Sequence, residues 1–329
     1  MRAAIPLSHA RAAEITAKFA TLRVAVVGDL MLDRYLLGDI ERISPEAPVP
    51  VVLVSSRRDA LGGAANVAAN VVAAGARCHL VGVVGNDSAG AALREALAAG
   101  GIDASGVHTL PDRPTTTKTR VVARGQQVCR VDEEVDHDLT ADGFKQVTRL
   151  AVEALEDSDV LLLEDYDKGT LAPSMIPLLV DRARSLRIPV VVDPKYRHFY
   201  SFAGATVFKP NRRELESALG TPIDQAAPDP YRSAYRRANA EHLLVTLGAD
   251  GMALVGSKET VRIPGNRRAV YDVSGAGDTV TAWVGLALAA GARMEEAAVM
   301  ANVAAGIEVG KPGVATVSVE ELLAAHDAN

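Results

Sequence analysis

Cysteine is scarce in this sequence of 329 residues, which contains Cys78 and Cys129 and no others. The two lie far apart and have no neighbouring histidines, so the sequence predicts neither a disulfide framework nor a zinc site. Basic residues are outnumbered, with 35 Lys and Arg against 41 Asp and Glu. The net charge of −6 lacks the electrostatic footprint of nucleic-acid binding, so we expect no nucleic-acid partner.

Long hydrophobic runs are missing as well. No run is long enough to span a membrane, and polar residues interrupt the N-terminal segment, which is therefore unlike a signal peptide. Internal repeats and low-complexity tracts are absent. Hydrophobic residues make up 48% and charged residues 23% of the chain, which is ordinary for a globular protein. These features favour a cytoplasmic protein without a membrane partner.

The segment Asp272-Val-Ser-Gly-Ala-Gly-Asp-Thr279 predicts a phosphoryl-transfer loop. Gly275 and Gly277 allow the backbone to approach a ligand closely, and the apolar helix predicted from residue 279 can present free N–H groups to an anion. A carboxylate in an anion site, Asp278, makes sense if it removes a proton from an incoming hydroxyl while the N–H groups hold developing phosphoryl charge. The alternative is an ordinary glycine-rich loop with Asp278 as a helix N-cap.

An alternation of apolar strands and helices predicts an α/β fold, with a doubly wound, mostly parallel sheet and helices on both faces. Strands are predicted at residues 22–27, 78–84, 160–163, 189–192, 205–208, 242–247, 252–255 and 260–263. Helices are predicted at residues 9–20, 61–75, 88–99, 140–156, 172–187, 279–290 and 295–309. Polar residues or glycines follow one strand after another, at the edge where such sheets bind ligands.

Two segments, residues 34–60 and 113–133, interrupt this alternation. The first has prolines beside β-branched residues, and the second has two β-rich runs around Gly125, which is typical of a hairpin. We predict that together they form a small β-sheet lid over the site. The second segment also carries four long cations, Lys118, Arg120, Arg124 and Arg130. Long cations on an exposed strand discourage edge pairing, and a substrate phosphate would give one or two of them a second role.

Polar residues near the predicted ligand edge are candidate sugar ligands. Asp29 and Asp33 follow the first strand, and one of them can accept hydrogen bonds from substrate hydroxyls; the alternative is a solvated turn carboxylate. Gly63 frees the backbone for close approach, and Asn66 offers an amide that both donates and accepts. A tight helix–strand packing seam is the alternative for these two residues.

Asn211 and Glu214 stand three residues apart at a predicted helix start. They can hold the water shell of a magnesium ion, since Mg²⁺ keeps several waters and needs few protein ligands. The alternative is a capping box, in which each side chain caps the backbone of the other residue. Val261, Ile263 and Asn302 can flank a slot for a nucleotide base, with plain core packing as the alternative.

The segments Gly62-Gly-Ala-Ala-Asn66 and 272–279 resemble the two signatures of the ribokinase-like (PfkB) carbohydrate kinases. The resemblance covers essentially the whole chain and implies one ribokinase-like kinase domain, residues 1–329, with the lid inserted in it. It also implies that Asp278 is the catalytic base. The backbone of Gly275, Ala276 and Gly277 would then form the anion hole.

The resemblance implies binding roles as well. The residues that would orient sugar hydroxyls are Asp33, Gly63 and Asn66. Those that would bind ATP and Mg²⁺ are Asn211, Glu214, Thr246 and Gly248, beside the base slot. The first choice for the sugar phosphate or the transferred phosphoryl group is Lys195, ahead of Arg120 and Arg130. A monovalent cation such as K⁺ would lie near Asp272 and residues 310–313, and lid sheets would pair in a homodimer.

Within this family, the segments 28–35 and 43–50 resemble the heptose-phosphate kinases. That resemblance implies phosphorylation of D-glycero-D-manno-heptose 7-phosphate at its anomeric hydroxyl, toward the ADP-heptose of lipopolysaccharide. Because the chain stops at Asn329, we expect a stand-alone kinase, with nucleotidyl transfer left to another protein. The alternatives are a kinase for ribose, a nucleoside or a hexose phosphate, and a non-enzymatic binding protein, which would have no need of Asp278 in an anion site.

Overall fold

Residues 2–224, 227, 229–265 and 271–327 are described by the structure, a computed structural model. The strands among them are β1 (Arg2–Ala3), β2 (Arg23–Gly28), β3 (Leu30–Ile43), β4 (Pro50–Gly63), β5 (Arg77–Gly85), β6 (Asp103–Leu110), β7 (Thr117–Ala123), β8 (Gln126–Glu133), β9 (Val160–Glu164), β10 (Val190–Asp193), β11 (Val207–Phe208), β12 (His242–Thr246), β13 (Met252–Val255) and β14 (Thr260–Ile263). The α-helices are α1 (His9–Thr16), α2 (Ala64–Ala73), α3 (Ser88–Ala99), α4 (Ala141–Glu156), α5 (Met175–Leu186), α6 (Arg212–Leu219), α7 (Arg232–Ala238), α8 (Ala276–Ala289), α9 (Met294–Glu308) and α10 (Val319–Asp327).

The main sheet has the strand order β1-β14-β13-β12-β11-β10-β9-β2-β5-β6. Neighbouring strands are parallel except where β13 pairs with β12 and β14. Successive side chains of a strand point to opposite faces. In β2, Val24 and Val26 therefore join a buried cluster with α2, α8 and α9, while Ala25 and Val27 join a second cluster with α4 and α5. The doubly wound α/β fold predicted from the sequence is confirmed.

The four remaining strands form a separate sheet in the order β4-β3-β7-β8. Strands β3 and β4 make a long antiparallel pair, β7 runs parallel to β3, and β8 returns antiparallel to β7 around Gly125. The predicted small separate sheet and its second hairpin are thus confirmed, while the role of this sheet as a lid stays a prediction.

Three boundaries differ from the prediction in ways that matter for the site. The first lid strand begins at Leu30, so Asp33 lies within β3 and not in a turn after β2. The helix predicted from residue 61 begins at Ala64, because Gly63 has a φ of +57°, a left-handed conformation that ends β4. The helix predicted from residue 279 begins at Ala276, which places Asp278 in its first turn.

The sequence does not predict β6, α7 or α10. Strand β6 lies at the edge of the main sheet and mixes polar with apolar residues, so it lacks the continuous apolar run of a central strand. Helix α7 has only seven residues.

Cys78 is buried, Cys129 is exposed, and both are free thiols. Among the described residues, no helix combines the length and the apolar character needed to cross a membrane.

Candidate active site

The glycine loop leads directly into α8. Gly275 precedes the first helical residue and has a φ of +96°, in the left-handed region that glycine tolerates. Space excludes a side chain as well, since a Cβ atom at Gly275 would lie 2.9 Å from Asn66 Nδ2. The N-terminus of α8, with the positive end of its dipole, is therefore at the position predicted for an anion site.

Asp278 is 3% exposed, and each of its carboxylate oxygens accepts a hydrogen bond. Asn66 Nδ2 donates to Oδ2 at 2.7 Å, and the Tyr166 hydroxyl donates to Oδ1 at 2.8 Å. Burial raises the pKa of Asp278 to about 6, although these two donors act in the opposite direction. Asp278 is thus a buried carboxylate whose pKa suits a general base. The N-cap position belongs to Gly275, so the capping alternative for Asp278 is wrong.

Two more buried acids end the strands beside α8. Glu164 at the end of β9 and Asp193 at the end of β10 are register partners, and each can bring one carboxylate oxygen within 4.8 Å of the others and of Asp278. Burial, followed by the charges of Asp193 and Asp278, raises the pKa of Glu164 well above its ordinary value. This raised pKa favours the protonated form of Glu164, which reduces the negative charge around the base.

Lys209, which follows β11, supplies the positive charge of this cluster. Its side chain is buried, and Nζ donates to Asp193 Oδ2 at 2.7 Å. Although burial lowers it, the charges of Asp193 and Glu164 raise the pKa of Lys209 above its ordinary value. A Cβ atom on Gly277 would lie 3.6 Å from Nζ, so this ammonium group borders the glycine loop. It already occupies the position of a cation among the three acids, which we interpret as a charge-balanced acid–base cluster and not as a metal site.

Sequence reasoning missed the roles of Tyr166, Glu164, Asp193 and Lys209. The only signal was their place in the series of polar residues that follow successive strands. Parallel neighbours β9, β10 and β11 bring those ends together beside α8.

Asn211 and Glu214 form the capping box that was one of their two interpretations. Asn211 Oδ1 accepts from the Glu214 N–H, and Glu214 Oε2 accepts from the Asn211 N–H, both at 2.9 Å. The other oxygen of Glu214 is 2.5 Å from Lys195 Nζ. Lys195 also lies over the Tyr166 ring, 4.9 Å from its centre. A chain of contacts therefore connects the predicted magnesium motif to the residue that holds Asp278.

The other predicted nucleotide residues surround the end of β12. The backbone of Thr246 forms an isolated parallel β-bridge with that of Asn211, and Gly248 follows with a φ of +61°. Val261 and Ile263 lie in the hydrophobic core of the main sheet, as their packing alternative expects. Asn302 Nδ2 donates to the Pro264 carbonyl at 2.9 Å. Their contacts with a nucleotide stay predictions.

The predicted sugar ligands Asp33 and Gly63 lie near one another, and Gly63 also lies near Tyr166. Asp33 is buried and accepts a hydrogen bond from Arg120, and a Cβ atom on Gly62 would lie 2.5 Å from its Oδ2. A Cβ atom on Gly63 would approach Tyr166 Cδ2 to 3.5 Å. Arg130, by contrast, pairs with a lid carboxylate, Asp132, and its side chain is 49% exposed.

Asp29, the other carboxylate considered for substrate hydroxyls, is an anchor for the loop after β9. It is buried, and its oxygens accept the backbone N–H groups of Tyr166, Lys168 and Thr170 at 2.8–3.0 Å. These bonds fix the backbone of Tyr166 and thereby support its hydroxyl against Asp278.

The region predicted for a monovalent cation lies behind the glycine loop. Asp272 Oδ1 accepts from the Ser274 N–H, and the N–H groups of Tyr271 and Asp272 donate to the Val309 carbonyl. Beside them Glu308 is buried, with Oε1 3.3 Å from the place of a Cβ on Gly275. Burial raises the pKa of Glu308 to about 8. Cation binding by Asp272 stays a prediction.

Comparison with known proteins adds a family and a fold. A family profile described as pfkB family carbohydrate kinase matches residues 21–322. The Bifunctional protein HldE of Rhodospirillum rubrum is 44% identical over 324 residues, which cover 95% of this chain and 64% of that protein. The Bifunctional protein HldE of Desulfatibacillum aliphaticivorans is 42% identical over 311 residues, covering 93% and 63%. This chain thus spans less than two thirds of the length of these relatives.

Two solved structures have the same fold. Arabidopsis thaliana ribokinase complexed with ribose and ATP matches with a TM-score of 0.72 at 20% identity, over 93% of this chain and 98% of that one. Phosphofructokinase-2 from Escherichia coli in complex with potassium matches with a TM-score of 0.73 at 19% identity, over the same shares.

Proposed function

Because the chain belongs to the pfkB family of carbohydrate kinases, we propose that it phosphorylates the anomeric hydroxyl of D-glycero-D-manno-heptose 7-phosphate. Family membership makes it a phosphotransferase with an alcohol group as acceptor and ATP as donor. The heptose acceptor, and a place in the supply of ADP-heptose for lipopolysaccharide, are proposed from segments 28–35 and 43–50, which resemble heptose-phosphate kinases.

The observation that carries the proposal is the position of Asp278. It is a buried carboxylate in the first turn of α8, next to the glycine loop. One of its oxygens lies within 4.8 Å of an oxygen of Asp193, which in turn accepts a hydrogen bond from the Lys209 ammonium group. Asn66 and Tyr166 hold its two oxygens, so its orientation is set before any acceptor binds. A binding protein would gain nothing from placing such a group beside an anion site.

In the proposed reaction, Asp278 accepts the proton of the anomeric hydroxyl as that oxygen attacks the γ-phosphorus of ATP. A new O–P bond forms in line with the P–O bond that breaks, and ADP leaves. The N-terminus of α8 and the Lys209 ammonium stabilise the negative charge on the transferred phosphoryl group. Asp33, Gly63 and Asn66 orient the sugar.

Magnesium fits the residues at the start of α6. Glu214 Oε1 and the Asn211 amide oxygen are hard oxygen ligands, and Oε1 accepts a hydrogen bond from the partly exposed Lys195 ammonium. We propose that these two residues hold Mg²⁺ through its water shell, with Thr246 and Gly248 on the nucleotide. When bound, the ion neutralises phosphate charge.

A homodimer through the lid is part of the proposal. Large apolar side chains of the first lid hairpin are exposed to solvent, among them Ile43, Val49, Leu53 and Val54. A second copy of the lid would bury them, as exposed apolar patches at interfaces are buried. Sedimentation of the protein and of Leu53→Lys tests this: the variant should be monomeric at concentrations where the parent is dimeric.

The experiment that tests the function is ADP release from ATP and Mg²⁺ with four acceptors: ribose, adenosine, fructose 6-phosphate and heptose 7-phosphate. The new phosphate is located by ³¹P NMR. A response to heptose 7-phosphate alone, phosphorylated at C1, is expected. A preference for another acceptor would keep the role of Asp278 and overturn the substrate.

A further inference from the structure

The lid carries a row of cationic side chains that make no hydrogen bond with Asp278 or with the charged residues around it. Directly paired residues in a sheet lie on one face, and the register places Arg58, Tyr35, Arg120 and Arg130 side by side across β4, β3, β7 and β8. Asp33, two residues before Tyr35, shares this face. Because Asp33 and Tyr35 are buried, this face is the one that the lid turns toward the body of the protein.

Tyr35 is the centre of the row. The Cζ atoms of Arg58 and Arg120 lie 5.1 Å and 5.4 Å from the centre of its ring. Its hydroxyl is buried and has no hydrogen-bond partner among the residues that the structure describes. A buried polar group without a partner destabilises the fold, because it loses its hydrogen bonds to water. A ligand that accepts a hydrogen bond at this point would remove that destabilisation.

Arg58 is the second unsatisfied member. Arg120 and Arg130 pair with the carboxylates of Asp33 and Asp132, whereas no carboxylate in the described part of the chain pairs with Arg58. Like charges in adjacent strands destabilise a sheet unless an anion compensates them. Arg58, Tyr35 and Arg120 therefore have the charge and the donors of an anion site.

The row also lies beside the predicted acceptor. Arg120 donates to Asp33, a predicted sugar ligand. On the other side, a side chain at Gly313 would collide with the Arg58 guanidinium, and the next residue, Val314, packs 3.3 Å from the place of a Cβ on Gly275. Arg58 thus extends from the lid to the loop that borders the anion site.

We propose that Arg58, Arg120 and Tyr35 bind the phosphate group that the acceptor already carries, distinct from the phosphoryl group that is transferred. This inference rests on the proposed function and names the chemistry that selects a sugar phosphate over a free sugar. Guanidinium groups suit the task because they present several N–H donors in a planar fork to a phosphate. Lys209 and the N-terminus of α8 stabilise the transferred phosphoryl group from the body of the protein, whereas these three residues bind the phosphate of the acceptor from the lid.

The test compares two acceptors, heptose 7-phosphate and the same heptose after phosphatase treatment. The readout is the ratio of their kcat/KM values from ADP release. Charge-assisted hydrogen bonds contribute about 1.5–3 kcal/mol, so Arg58→Gln should lower this ratio about tenfold to a hundredfold. Tyr35→Phe should lower it less, and Arg58→Lys should retain part of it because it keeps the charge and loses the fork.

Arg124→Gln is the matched control, because it removes one cation from the same sheet at an exposed turn position. It should leave the ratio unchanged, and the KM for ATP should stay constant in every variant. A wild-type enzyme that uses both heptoses equally, or an Arg58→Gln enzyme with the wild-type ratio, would overturn the inference while the kinase activity stands.

Failure of the proposed function is a separate outcome. If neither heptose is phosphorylated, calorimetry with inorganic phosphate still tests the row. Weaker phosphate binding by Arg58→Gln than by Arg124→Gln would support the anion site without the heptose, and equal binding by both would overturn it.

Discussion

Replacing Tyr166 by phenylalanine should move the acid limb of the kinase's pH profile to higher pH. The Tyr166 hydroxyl donates to Asp278 Oδ1 at 2.8 Å, and a hydrogen bond of this kind stabilises the charged form of the carboxylate. Burial raises the pKa of Asp278 to about 6 in spite of this bond. In the wild type, kcat/KM should therefore fall as the pH drops through about 6, because the base becomes protonated.

The size of the shift follows from the lost hydrogen bond. A bond to a charged group contributes about 1.5–3 kcal/mol, and one pKa unit corresponds to about 1.36 kcal/mol. The limb should thus move up by about one to two units, to about pH 7–8. Glu164, Asp193 and Lys209 face the same carboxylate in both proteins, so their contributions cancel. Well above the limb the two enzymes should converge.

The assay is kcat/KM for the acceptor from ADP release, at saturating ATP and Mg²⁺ and constant ionic strength, from about pH 5 to about pH 9. Tyr196→Phe is the matched control, because the centre of the Tyr196 ring lies 6.0 Å from Lys195 Nζ and Tyr196 is 51% exposed. An unchanged limb in Tyr166→Phe, or an equal loss at every pH, would show that Tyr166 does not set the charge of Asp278.

Three further changes have defined outcomes. Asp278→Asn should lower kcat by about 10²–10⁴ and yet raise the free energy of unfolding at neutral pH: the difference between a pKa of about 6 and the ordinary 3.8 amounts to about 3 kcal/mol. Glu308→Gln should also stabilise the protein at neutral pH, because burial raises the pKa of Glu308 to about 8 and the folded protein must take up a proton there. Lys209→Met should destabilise the fold by about 3–5 kcal/mol, because it leaves buried carboxyl groups without their cation.

The signs can be checked by denaturant unfolding at several pH values. A carboxyl group with a raised pKa in the folded state stabilises the protein at low pH and loses that contribution as the pH rises. For Asp278 the loss falls between about pH 4 and about pH 6, so wild type and Asp278→Asn should be equally stable near pH 4 and differ above pH 6. A stability difference that is independent of pH would contradict the assignment, as would an active Asp278→Asn enzyme. A stable Lys209→Met protein would mean that Asp193 finds another partner.

Local patterns of apolar and polar residues predict most of the strands and helices. Continuous apolar runs such as residues 160–163 predict buried parallel strands because burial on both faces removes the usual polar alternation. These patterns fail where a single dihedral angle decides the structure. The small residues around Gly63 predict a helix, but the positive φ of Gly63 ends a strand there. They also fail at β6, an edge strand whose half-exposed residues have no apolar run.

The sequence by itself determined the reaction class, because Gly275, Gly277 and Asp278 lie within four residues and their chemistry depends on one turn of backbone. Only the tertiary structure decided what surrounds the base. Asn66 is 212 residues from Asp278 and Tyr166 is 112 residues away, and they meet only when the order of the strands is known. The pKa of Asp278 follows from that burial, and so does the cationic row of the lid, because charge and desolvation depend on distances in space and not on separation along the chain.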